Sequence, residues 1–155
     1  MTGTVAARLR DLGIELPNPA APAANYVPFT RVGNIVFVAG QICIFNGEIV
    51  SRGRLGAEVT KEDGYKAARV CGLNLIAQVG AALDGDLDRV VRVAKLGGFV
   101  SAVPEFHDHP EVVNGASDLM VQVFGDAGRH ARFAVGAPSL PRNVTVEVDG
   151  IFEVR

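Results

Sequence analysis

At the end of the chain Val144, Val146, Val148, Gly150, Phe152 and Val154 alternate with Asn143, Thr145, Glu147, Asp149, Ile151 and Glu153. A period of two places the two sets on opposite faces of a strand, one apolar and one mostly polar. "IVFVAGQI", residues 35–42, is apolar at every position from Ile35 to Ala39, the pattern of a strand covered on both faces. It follows "YVPFTRVG" across a turn at Gly33 and Asn34, and "GEIVSRG" after it reads as a shorter strand. Residues 88–103 alternate well enough for another strand, with Gly97 and Gly98 as an expected bulge.

Helical spacing appears in three places. Val5, Leu9, Leu12 and Leu16 lie on one face of a short N-terminal helix, which "PNPAAPAA", residues 17–24, stops and turns into an extended connector. Thr60 followed by Asp63 resembles a capping box and opens a helix over residues 61–83, with Ala67, Val70, Ile76 and Val79 among its apolar positions. Pro110 marks the first turn of the clearest helix, in which Val112, Val113, Ala116, Leu119, Met120, Val123 and Phe124 form a stripe that Gly125 ends. The order predicts an α+β fold: a mixed sheet with two helices packed on one face. The other face of that sheet would be too apolar to leave in water, since burial is worth about 25 cal/mol per Å². Self-association follows as the expectation.

The chain has 155 residues, 48% apolar and 21% charged, which is enough for one core. We divide it into residues 1–24, helix and connector, and residues 25–155, the main domain. A formal charge of -2 without a basic run argues against a nucleic-acid partner. The N-terminus has arginines and an aspartate among its leucines, and no apolar run approaches the length of a membrane span. A cytoplasmic protein without a membrane partner is expected. Cys43 and Cys71 have no metal-ligand spacing and read as buried thiols, with Cys43 at a strand end as a candidate reactive thiol.

Two charges in otherwise small or apolar runs stand out, Arg132 in "HARFAVG" and Glu147 in "VTVEVDG". Arg132 offers a planar fork for a carboxylate, or pairs with an acidic neighbour. Glu147 positions or deprotonates a water, or is simply solvated or paired with Arg132. His130 can share a strand face with Arg132, as a base or as a structural residue. His107 and His109 are two apart and diverge on a strand or a helix, so no metal is expected. No glycine pattern cradles a nucleotide and no serine has a hydrolase-elbow setting, so no cofactor is expected either.

Four segments together carry a family likeness: "NYVPFTRVGNIVFVAGQI", "VVRVAKLGGFVSAVPEF", "VVNGASDLMVQVFG" and "HARFAVGAPSLPRNVTVEVDGIFEV". The chain resembles the Rid family of reactive intermediate deaminases, the YjgF-type proteins also labelled endoribonuclease L-PSP or translation inhibitor. The last segment is the most specific, with Arg132, Leu140, Pro141 and a glutamate, Glu147, fifteen positions after the arginine. The resemblance implies a chorismate-mutase-like fold, a homotrimer, and ligand sites in clefts between subunits. It implies hydrolysis of 2-imino or 2-enamino acids to 2-keto acids and ammonia. Arg132 would grip the carboxylate and Glu147 would place the water. Tyr26, Gly40, Gln41 and Asn114 would line the cleft and bind the substrate. Ala39 stands where deaminase-type members usually have serine, Ala134 where many have cysteine, and one extra residue separates Asn114 from Arg132, which marks a divergent subgroup. The alternatives are a trimeric binder or regulator that takes small carboxylates without turnover and, behind it, a ribonuclease.

Overall fold

The computed structural model describes residues 3–21 and 24–155, so Met1, Thr2, and Pro22 and Ala23 of the connector lie outside the description. Strands β1 (Phe29–Val32), β2 (Ile35–Ile42), β5 (Val90–Ser101), β6 (Ala131–Ala137) and β7 (Val146–Val154) form one sheet in the order β1-β2-β7-β5-β6. All neighbours are antiparallel except β5 and β6, which makes the sheet mixed. Strands β3 (Ile44–Phe45) and β4 (Glu48–Ile49) form a separate hairpin, so the "GEIVSRG" strand is shorter than expected and pairs outside the main sheet. Helices α2 (Lys61–Ala82) and α3 (His109–Phe124) pack together on one face, over a core that includes Val36, Leu96, Val148 and Phe152. The fold is the expected α+β arrangement.

Local chemistry explains the element boundaries. Thr60 caps α2 by accepting from the Asp63 amide at 3.1 Å, and Gly125, at φ 63°, ends α3 in the left-handed region that glycine tolerates. The seven apolar residues of the α3 stripe are all buried. Helix α1 (Thr4–Asp11) is shorter than its apolar spacing suggests. Gly13, at φ 63°, closes it with a Schellman pair: Ile14 N–H donates to Leu9 O at 2.8 Å and Gly13 N–H to Arg10 O at 3.0 Å. Leu12 is consequently exposed and Leu16 lies beyond the helix. The N-terminus of α1 is capped from outside, by the Asp88 carboxylate accepting from Thr4 and Val5 amides at 2.8 Å each. Val5 and Leu9 join the common core.

The expected bulge at Gly97 and Gly98 is absent, because the ladders to β6 and β7 run through both residues without interruption. The extra residues of β5 lie earlier, at Val91 and Ala94. The glycines are needed for packing instead: a Cβ on Gly97 would meet Asp149 and Phe133, and one on Gly98 would meet Val113 of α3. β2 carries its own extra residue between Val38 and Gln41. Within the single chain β2 is buried on one face only, and Phe37 on the other face is 43% exposed. Phe99 and Val135, at 40% and 42%, share that bare face.

Candidate functional site

The alternation of β7 sends Val146 and Val148 into the core and turns Glu147 and Asp149 to the bare face. Asp149 lies beside Phe133 there, since both would meet a Cβ on Gly97. Arg132 precedes Phe133 on β6 and therefore points the other way, toward α3. Its Nη1 donates to Asn114 Oδ1 at 2.8 Å and to Ser117 Oγ at 3.1 Å. Arg132 and Glu147 thus lie on opposite faces of the sheet, and the pairing between them weighed from the sequence does not occur within one chain.

Around Arg132 the partners are neutral. The His130 Nδ1 lies 2.6 Å from the Gly128 carbonyl, which can only accept, so the proton is on Nδ1. His130 Nε2 then accepts from the Ser117 hydroxyl at 2.9 Å, leaving the Ser117 oxygen lone pairs for Arg132. Burial first, and the Arg132 charge in addition, lower the His130 pKa despite the Gly128 hydrogen bond, favouring the neutral ring. Among the described residues no ion pair involves Arg132. A half-buried guanidinium is held in place by two oxygens and keeps its charge uncompensated.

The other expected residues gather elsewhere. Tyr26, Gly40, Gln41 and Glu147 line one cavity of about 320 Å³, together with Ala20, Asn74 and Arg142. Gly40 belongs to the irregular stretch of β2, and a Cβ there would collide with the Glu147 carboxylate. Gln41 is buried and donates to the Ala39 carbonyl at 2.9 Å, across the same irregularity. Glu147 is half-buried, and burial first, then the Asp149 charge, raise its pKa above the ordinary carboxylate value. A carboxyl so placed can hold or release a proton nearer neutrality.

The expected residues therefore fall into two groups in one chain, Arg132 with Asn114, and Glu147 with Tyr26, Gly40 and Gln41. Ser117 was overlooked, although its spacing of three from Asn114 puts both on one side of α3. Arg142 and the connector residues Ala20 and Ala21 were overlooked too, and no periodicity marks them. Cys43 and Cys71 are free and buried. Cys43 donates to the Ser51 carbonyl at 3.3 Å and Cys71 to the Val146 carbonyl at 3.4 Å; interaction with Cys71 lowers the Cys43 thiol to about 6, and burial pushes the Cys71 thiol well up.

A mixed five-stranded sheet with two helices on one face, and an uncovered face bearing the glutamate, defines a chorismate-mutase-like protein. Residues 6–153 match the family described as "YjgF/chorismate_mutase-like, putative endoribonuclease", and the chain belongs to that family. Protein TCP17 of Trypanosoma cruzi is 49% identical over 99% of this chain and 96% of its own. The crystal structure of Atu1372 from Agrobacterium tumefaciens is 48% identical, covers 97% of this chain and 92% of that one, and superposes with a TM-score of 0.91. A more distant solved structure, E. coli TdcF with bound serine, shares the fold at 22% identity and a TM-score of 0.60, over 90% of this chain and 93% of that one. No helix among the described residues is long and apolar enough to cross a membrane.

Proposed function

We propose that this protein hydrolyses reactive 2-imino and 2-enamino acids to 2-keto acids and ammonia, at clefts between the subunits of a homotrimer. The observation that carries the reading is Arg132: a half-buried guanidinium with neutral partners only, able to take a carboxylate in two parallel hydrogen bonds. The bound serine of TdcF is a small carboxylate-bearing ligand on the same fold. Because Arg132 and Glu147 face opposite ways in one chain, the cleft takes Arg132 and Asn114 from one protomer and Tyr26, Gly40, Gln41 and Glu147 from its neighbour.

The chemistry asks little of the protein beyond placement, which suits a site without a catalytic triad. An enamine is first protonated at C3, and an imine at nitrogen, so that both become the iminium, whose C2 is electrophilic. Water adds its oxygen to C2 while its proton passes to Glu147, and the nitrogen takes up a proton. The C2–N bond of the resulting carbinolamine then breaks, ammonia leaves, and the hydroxyl proton is lost as C2=O forms. The raised pKa of Glu147 lets one carboxyl take and return the proton.

With threonine dehydratase generating the imine, the protein should accelerate 2-keto acid release, and Arg132→Ala should reduce that acceleration by about 100-fold or more. No acceleration by the wild-type protein would contradict the reading. The separation of Arg132 from Glu147 within one chain favours a second reading, a carboxylate binder without turnover. It predicts a carboxylate-dependent rise in melting temperature with no effect on 2-keto acid release.

A further inference from the structure

The cavity that holds Glu147 also holds a second arginine. Arg142 is exposed, and among the described residues it makes no ion pair. Its charge is not spent on Glu147, whose pKa is raised rather than lowered. The backbone that presents Arg142 is strained: Arg142 and Asn143 are both left-handed, at φ 57° and 58°, where a glycine is cheaper. Long-range bonds within the chain hold the turn in that form. Arg52 Nη1 donates to the Arg142 carbonyl at 2.6 Å, and the Gly53 amide donates to the Asn143 carbonyl at 3.0 Å.

The connector supplies another stretch of the cavity wall. Ala20 and Ala21 line it, and the chain there is pinned by the Gln78 amide, 1% exposed, donating to the Ala20 carbonyl at 2.8 Å. The Asn18 amide donates to Asn46 Oδ1 at 2.9 Å a little upstream. Small side chains on this wall leave length in the cavity for a substrate side chain, and Arg142 places a cation along it.

We propose that Arg142 binds a second anionic group, so that the preferred substrates are imino acids with a carboxylate at each end. The inference rests on the reading in which Arg132 takes the carboxylate next to the reacting carbon. Arg142 then takes the distal one, and the two arginines measure a dicarboxylate between them.

Calorimetric titration with two five-carbon keto acids tests it. 2-Oxoglutarate carries the distal carboxylate and 2-oxopentanoate does not. Wild-type protein should bind 2-oxoglutarate about five- to tenfold more tightly, the gain of a charge-assisted pair discounted for solvent. The preference should fall to about one in Arg142→Gln and in Arg142→Gly. The glycine variant also relieves the left-handed backbone at this position, so it serves as the folded comparison if glutamine is poorly tolerated. Equal affinities in the wild type, no binding of 2-oxoglutarate, or a preference that survives both substitutions would overturn the proposal. Arg132→Gln should weaken both ligands; if it weakens neither, the underlying reading fails, whatever the Arg142 ratio shows.

Discussion

His130 is where the protonation state of one side chain bears most directly on the site. As a neutral ring it accepts from Ser117, which in turn accepts from Arg132. A second proton would remove that acceptor and set a positive ring beside the guanidinium. Burial lowers the folded-state pKa below the ordinary value of 6.5, so the unfolded chain binds this proton more readily. The stability due to His130 is therefore complete above pH 6.5 and drains away as pH falls through the lowered folded value. Urea midpoints followed from neutral to acid pH should decline more steeply for the wild type than for His130→Gln. Parallel declines would show that the ring does not carry this linkage.

The two main helices approach closely because Gly115 of α3 lies against the backbone of α2. A Cβ there would collide with the Tyr65 carbonyl, which cannot rotate away as a side chain end would. Gly115→Ala should therefore cost about 3 kcal/mol in urea unfolding, near the top of the range for overpacking, despite alanine's better helix propensity. A loss below about 0.5 kcal/mol would mean the helices slide apart freely. Elements with a strong period were legible in the sequence: the α3 stripe and the alternation of β7 translate directly into buried positions. The end of α1 was misplaced: the four leucine and valine positions suggested a helix running to the prolines, whereas Gly13 closes it after Asp11. Gly97 and Gly98 misled for a physical reason, since a strand glycine marks either a bulge or a close neighbour, and here Asp149, Phe133 and Val113 are the neighbours. For the site, Arg132 and Glu147 stood out in the sequence as charges in small or apolar runs, and Asn114, Tyr26, Gly40 and Gln41 through the family resemblance alone. Arg142 did not, because its placement depends on a left-handed turn held by Arg52 and Gly53, some ninety residues away for Arg52.

At the scale of the whole molecule, the bare sheet face decides the account. Phe37, Phe99 and Val135 stand 43%, 40% and 42% exposed on it, with Phe99 edge-on to Phe133, and Glu147 belongs to the same face. Covering such a face with copies of itself removes apolar area from water and brings a neighbour's residues to Glu147. On the proposed reading Arg132, turned toward α3, is completed by a second chain. Mixed assemblies test this directly. Arg132→Ala and Glu147→Gln, each inactive alone, are co-refolded in equal amounts and assayed for accelerated 2-keto acid release. If each site draws its arginine and its glutamate from different protomers, random mixing restores about one quarter of the sites and about one quarter of wild-type activity. Mixed assemblies of confirmed composition that remain inactive would contradict a shared site and the account built on it.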